Sequence, residues 1–185
     1  MESAVNRFKQ SRKVLAEYTY EPAALVRGYT GKTLFVDLST GLIKSKEVTR
    51  TMKDIFIGGR GFGLWYLWQA VNPQTKWNDP ENEIIISSGP VGGITQYPGA
   101  GKSLVVTLSP LTNSVIDSNV GGHFGPYLKF SGWDALEIYG KSDKDVFIII
   151  DGDSGKVTIE EAVLDTTACH LISEILTEAF AHSES

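Results

Sequence analysis

Glycine is spread unevenly along this chain, and its distribution limits the available folds more than any other feature. Nineteen of the 185 residues are glycine, above the usual ~7%, and they concentrate between Gly58 and Gly125. The backbone there must turn tightly or pass close to other groups. The segment Asn119-Val120-Gly121-Gly122-His123-Phe124-Gly125 follows an apolar run and precedes Pro126 to Phe130, which can continue as a helix. An Asn with paired glycines at a loop-to-helix junction exposes N–H groups that no intrahelical carbonyl satisfies. Such a junction suits an anion, usually a phosphate.

Composition removes several function classes. Hydrophobic residues make up 42% and charged residues 21%, enough for a packed core and against wholesale disorder. A net charge of -5 without a dense Lys/Arg cluster argues against nucleic-acid binding. No apolar run approaches the ~20 residues a membrane span needs. The polar N-terminus lacks an apolar signal core, so a cytoplasmic location is expected. The single cysteine, Cys169, excludes an internal disulfide framework. It also excludes an iron–sulfur or zinc-thiolate cluster built by this chain alone.

The periodicities give a coarse map. Residues 1–27 read as an extension or partner-binding arm, helical to about Tyr18, with Pro22 stopping any continuation. Phe8, Val14, Leu15, Tyr18 and Tyr20 give that arm something to bury. Thr33 to Leu38, the turn Ser39-Thr40-Gly41 and Leu42 to Val48 read as a β-hairpin. Gly58 to Gly63 leads into a short helix carrying Leu64, Leu67, Trp68 and Val71 at helical spacing, ended by Asn72-Pro73. Glu83–Ser88, Lys102–Leu108 and Ser114–Ile116 look extended. Ala135–Tyr139, Val146–Ile150 and Lys156–Ile159 are β-rich, with Asp151 to Gly155 as a turn. Ala168 to Phe180 is the clearest amphipathic helix, with Asp165 or Thr166 as N-cap. Hairpins mixed with short helices predict an α+β fold rather than a doubly wound parallel sheet.

Two common nucleotide motifs fail on inspection. Gly101-Lys102-Ser103 looks like the end of a P-loop, but the pattern needs a Gly where Gln96 stands, and Pro98 interrupts the loop. Lys102 survives as a point charge able to contact phosphate. Gly58 to Gly63 misplaces the third glycine of a dinucleotide fingerprint and lacks a βαβ frame. What remains is a turn at a helix start whose Arg60 could reach an anion. His123 reads as structural, and His170 and His182 as solvated. Cys169 reads as inert packing without a base partner. Asp151, Asp153, Glu160 and Glu161 read as turn and solubility residues.

Taken together, the motifs resemble one known family. Gly28-Tyr29-Thr30-Gly31-Lys32 running into Phe35-Val36-Asp37-Leu38-Ser39-Thr40-Gly41 resembles the start of the tungsten-dependent aldehyde:ferredoxin oxidoreductases. So do Gly58-Gly59-Arg60-Gly61, Pro80-Glu81-Asn82, Gly89-Pro90 and Ser109-Pro110-Leu111-Thr112. Asn119 to Gly125 and Leu128-Lys129-Phe130-Ser131-Gly132-Trp133-Asp134 complete the series. The resemblance runs from about Gly28 to Ile159.

It implies an N-terminal domain of two packed, mainly antiparallel β-sheets with short helices, over residues 28–185 and incomplete at its C-terminal end. On such a domain sits a bis-pterin cofactor of tungsten or molybdenum, with a magnesium ion bridging the pterin phosphates. By position Asn119 and Gly121 fall at the phosphate–magnesium site, with Asn119 the candidate magnesium ligand. Gly122 and Lys102 are further cofactor contacts. Lys102 stands where the family usually has Arg, which keeps the charge and loses the bidentate fork. The family's iron–sulfur cysteines belong to later domains, so the cluster is expected in missing domains or a partner subunit carrying them. The chain is therefore expected to be a split subunit or a fragment, with no catalytic residue of its own. The implied reaction oxidises an aldehyde to a carboxylate, with ferredoxin or another electron-transfer protein as acceptor. A subunit of a related aromatic acyl-CoA reductase, or an assembly module that keeps the fold and holds no cofactor, are the alternatives.

Overall fold

A computed structural model describes residues 2–181. The elements, in chain order, begin with helix α1 (Glu2–Ser11) and strands β1 (Lys13–Thr19), β2 (Lys32–Asp37) and β3 (Leu42–Glu47). Helices α2 (Arg50–Ile55) and α3 (Arg60–Ala70) follow, then strands β4 (Ile84–Ser87), β5 (Ser103–Leu108) and β6 (Val115–Val120). Helix α4 (Phe124–Phe130), strands β7 (Ala135–Tyr139), β8 (Val146–Asp151) and β9 (Lys156–Glu161), and helix α5 (Cys169–Phe180) complete the chain.

Two sheets form, ordered β1-β9-β8 and β3-β2-β7-β4-β5-β6. Every pairing is antiparallel except β2 with β7. The expected α+β architecture is therefore present. Alternation along the strands divides the large sheet into two faces. Leu34, Val36, Leu136 and Ile138 point to one side and pack with Trp133, Val157, Ile159, Tyr18 and Tyr20. This layer joins the two sheets. Ile85, Val106 and Ala135 point the other way and pack under Phe62, Tyr66 and Leu67 of α3 and Met52 of α2. A third cluster, Val5, Phe8 and Ile175 with Phe147, docks α1 and α5 on the small sheet.

The β2–β3 turn forms as expected. The Asp37 carboxylate accepts from the Ser39 amide at 2.9 Å and the Thr40 hydroxyl at 2.7 Å, and Gly41 takes a φ of 74° that a side chain would resist.

Three expectations need correction. The first helix ends at Ser11, not near Tyr18, because β9 offers Lys13–Thr19 a full antiparallel ladder. Residues 1–27, read as an arm, thus supply α1 and β1 to this fold. Phe8 is buried, and Val14 and Leu15 stay exposed. The strand read as Ser114–Ile116 runs from Val115 to Val120, because β5 pairs with all of it. Asn119 is therefore a strand residue opposite Leu104, not part of a loop-to-helix junction. At α5 the N-cap is Ala168 with no side-chain cap, while the Thr166 hydroxyl accepts from the Ala168 amide at 3.1 Å.

Candidate functional site

The β5–β6 register builds the site. Ser103 pairs with Val120, so Lys102 and Gly121 lie opposite each other just beyond the last pair. A Cβ placed on Gly121 would sit 3.5 Å from Lys102 Nζ. One step further out, a Cβ on Gly101 would meet the Gly122 carbonyl oxygen at 2.5 Å. Any side chain at 101 would push the two segments apart, so glycine there is a condition of their approach. Asn119, two residues before Gly121, is exposed on the same strand. Lys102, Asn119, Gly121 and Gly122 are thus gathered at one end of the hairpin.

The glycine turn of residues 58–61 lies beside this end. Gly58 and Gly59 both adopt positive φ, 145° and 51°. The Gly59 amide donates to the Ser88 carbonyl at 3.2 Å, and Ser87 Oγ donates to the Gly59 carbonyl at 2.6 Å. Arg60, considered as an anion contact, is engaged instead with Asp117 of β6 at 2.8 Å. A cleft of about 420 Å³ opens between these loops, lined by Gly58, Gly59, Ser88, Gly92, Lys102 and Leu104 among others.

Two serines line that cleft, Ser88, which no sequence motif marks, and Ser103, the end of the rejected P-loop pattern. Ser88 and Ser103 are 2% and 1% exposed, and neither hydroxyl has a hydrogen-bond partner among the described residues. A buried hydroxyl without a partner costs free energy. Strand patterning reads both simply as positions flanking an apolar run.

The remaining candidates fall outside the site. His123 is exposed, its ring 6.0 Å from that of Tyr127. His170 is exposed, and His182 lies outside the described residues. Cys169, expected to pack, is exposed at the start of α5. Asp151 does serve its turn, accepting from the Asp153 and Ser154 amides at 3.0 and 3.1 Å. Glu160, read as a solubility residue, is buried and accepts two hydrogen bonds from Arg12, at 2.7 and 3.1 Å. The Arg12 guanidinium holds its carboxyl below the usual range. Among the described residues no group of three or more His, Cys, Asp or Glu side chains could hold a metal ion, and no helix is long and apolar enough to cross a membrane.

The arrangement can bind an anion. It combines an exposed ammonium with glycines that have no side chains to obstruct approach. The aldehyde ferredoxin oxidoreductase N-terminal domain matches residues 33–184 of this chain. The chain belongs to that family. It is 40% identical over 130 residues to the tungsten-containing aldehyde ferredoxin oxidoreductase of Pyrococcus horikoshii, covering 70% of this chain and 21% of that protein. It is 35% identical over 132 residues to the aliphatic sulfonate oxidoreductase, WOR-like subunit, of Pyrococcus furiosus, covering 70% and 21%. Among solved structures it is similar to the active site complex BamBC of benzoyl coenzyme A reductase in complex with 1,5 dienoyl-CoA. That match has a TM-score of 0.71 and 31% identity, over 82% of this chain and 23% of the other. The chain therefore spans about a fifth of the curated relatives it matches. Of the motifs read as a family resemblance, those from Phe35 to Asp134 lie within residues 33–184, and Gly28 to Lys32 precede them.

Proposed function

We propose that residues 28–185 form the cofactor seat of a tungsten or molybdenum bis-pterin oxidoreductase whose other domains lie outside this sequence. The observation that carries this reading is the meeting of Lys102 and Gly121 at the open end of the β5–β6 hairpin. A point charge there, beside glycine backbone free of side chains, suits a phosphate group. Lys102 would neutralise a pterin phosphate, and the Gly121 and Gly122 backbone would let it come close. Asn119 would supply a side-chain oxygen to a magnesium ion bound with the cofactor. The bound metal–pterin group supplies the redox chemistry, and the chain's residues supply position and charge.

The names of the relatives support the choice of metal and reaction class. In the complete enzyme an aldehyde would be oxidised to a carboxylate and the electrons passed to ferredoxin. With one cysteine in the chain, the iron–sulfur cluster must be held by cysteines in other domains or a partner subunit. A second reading is a subunit of an aromatic acyl-CoA reductase, favoured by the likeness to the benzoyl coenzyme A reductase complex.

The test is Lys102→Glu in the assembled enzyme, with tungsten, molybdenum and pterin measured per protein. Cofactor content is expected to fall severalfold. Normal occupancy in that variant overturns the reading, and an assembled wild-type protein free of metal and pterin favours an assembly module instead.

A further inference from the structure

Among the described residues the two sheets end in four edge strands, β1, β3, β6 and β8. An open edge offers unpaired backbone groups to any other strand, so natural edges carry charge, polarity or proline. Three of the four comply. Strand β3 has Lys44, Ser45 and Lys46, β6 has Asp117, Ser118 and Asn119, and β1 has Lys13 and Glu17. Strand β8 instead reads Val146-Phe147-Ile148-Ile149-Ile150 before its first charge at Asp151, and all five are only half-buried. A near-continuous apolar run marks a strand that belongs inside a sheet.

The register shows which backbone groups are left open. The Tyr20 amide donates to the Gly155 carbonyl at 2.8 Å, so Gly155 faces the β1 side. Alternation then turns Lys156, Thr158 and Glu160 toward β8, where they meet Asp151, Ile149 and Phe147. The amides of Ile148 and Ile150 point the other way, and β8 has no strand on that side among the described residues. Residues 147–150 line a groove of about 720 Å³, together with Phe130 of α4 and Leu176 and Phe180 of α5. Phe130 and Phe180 are exposed, so the rest of the lining offers apolar surface too.

A repeat within the fold shows what such an edge takes. Hairpins β2–β3 and β8–β9 are built alike, with strands of six residues closing at Asp37↔Leu42 and Asp151↔Lys156. In both turns the Asp carboxylate accepts from the amide two residues on and the hydroxyl three residues on. Glycine follows at positive φ, 74° at Gly41 and 63° at Gly155. On β2 the edge away from β3 is covered by β7, a strand from far along the chain. The corresponding edge of β8 is the open one.

We propose that the open edge of β8 is a strand-acceptor site. An extended, apolar segment of the polypeptide carrying the enzyme's remaining domains lies in the groove and pairs with Ile148 and Ile150, as β7 pairs with β2. A six-residue segment would run about 20 Å along it. Its backbone supplies the attachment, and its alternate side chains fill the groove. Assigning the donor to those domains rests on the function proposed above.

The test is amide hydrogen exchange, by NMR on the isolated 185-residue chain and by mass spectrometry of the 146–151 segment in the assembled enzyme. In the isolated chain Ile148 and Ile150 should exchange at least about tenfold faster than Phe147 and Ile149, which bond to β9. In the assembled enzyme that fast fraction should disappear. Its persistence overturns the site, as does a chain recovered alone from the cells that make it. Protection that appears in the isolated chain as its concentration rises assigns the edge to a second copy and overturns it as well. Ile148→Pro removes a groove-facing amide and leaves the β9 ladder intact. Ile149→Lys puts a charge on the edge and touches no core cluster among the described residues. Each should lower the yield of assembled enzyme severalfold, and full assembly of the folded Ile149→Lys chain sinks the proposal even if Ile148→Pro fails to fold. Pterin and metal are measured in the same samples. A protected edge without pterin or metal sinks the cofactor reading alone, and bound pterin with a fast edge sinks the strand acceptor alone.

Discussion

Two groups of buried charge lie on opposite sides of this molecule's design, one fully paired and one left short. In the first, Lys129 of α4 and Asp134 before β7 are both fully buried, with Lys129 Nζ 2.6 Å from Asp134 Oδ1. Asp134 also accepts from the Thr30 amide at 3.0 Å and the Gly31 amide at 2.7 Å. Lys129 donates again to the Gly28 carbonyl at 3.0 Å. In the second, Glu137 of β7 accepts from Lys46 through both oxygens at 2.7 Å. Its neighbour Glu83 is buried, and Glu83 Oε2 has no hydrogen-bond partner among the described residues. Burial, with the Glu137 charge close by, pushes the Glu83 carboxyl up to about 8. The first group ties two segments a hundred residues apart with every strong acceptor used. The second stores a proton because one cation cannot serve two carboxylates.

This comparison predicts opposite responses to neutralisation. Asp134→Ala leaves the Lys129 ammonium buried without its partner and frees the Thr30 and Gly31 amides. A loss of about 3–5 kcal/mol is expected in urea unfolding. The double variant Lys129→Met with Asp134→Leu should recover little of it, because those amides and the Gly28 carbonyl stay unpaired. Full recovery would show that the ion pair alone mattered and would break the contrast.

Glu83→Gln should do the reverse and stabilise the protein near pH 8, by on the order of 2 kcal/mol. The sign follows from the proton. A carboxyl whose folded-state pKa is raised keeps its proton in the fold and loses it when unfolded. Its stabilising contribution is complete below the ordinary carboxyl range and fades as pH rises toward about 8. Thermal midpoints should therefore fall between about pH 4.5 and 8 in the natural chain, and that slope should flatten in Glu83→Gln. An equal slope in both would remove Glu83 as its source.

A smaller effect is expected from Tyr66→Phe. The Tyr66 hydroxyl sits 2.8 Å from Thr33 Oγ1 beneath the same carboxylates, and burial pushes its pKa up to about 12. Losing that bond should cost about 1 kcal/mol in the same unfolding assay. Smallest of all is Arg50→Ala. It breaks an exposed pair with Asp54, and the thermal midpoint should stay where it is.

Both charged groups escaped the sequence reading for the same physical reason. Periodicity reports which face of an element is apolar, and Lys129, Asp134, Glu83 and Glu137 all look like solvent-facing positions by type. Their partners are set by tertiary placement, Thr30 and Gly31 for one and Lys46 for the other. The elements with local signals are legible: the Asp37 to Gly41 turn and the amphipathic stripe of α5. Helix α3 forms, but of its expected stripe Leu67 is buried while Leu64 and Trp68 are exposed, and Phe62 and Tyr66 carry the packing instead. The parallel β2–β7 pairing had no local signal, since its strands lie about a hundred residues apart. The far half of β6 was lost because Asp117, Ser118 and Asn119 are poor strand formers held in place by β5. A strand that stops at Ile116 conceals the register that brings Lys102 and Gly121 together. Ser88 leaves no trace in the sequence and Ser103 enters only as the end of the rejected P-loop pattern, because a missing hydrogen bond is visible only in three dimensions.

Strand β1 is paired with β9, far along the chain. Arg12, just ahead of β1, bonds Glu160 of β9 across 148 residues of chain, and β8–β9 is a local hairpin that can form without β1. At ~5–20 residues per second of synthesis, β1 waits roughly 7–30 s for its partner to exist. During that time Val14, Leu15 and Tyr18 have no ladder to join. At this edge a strand is therefore made well before the seam it belongs to can close.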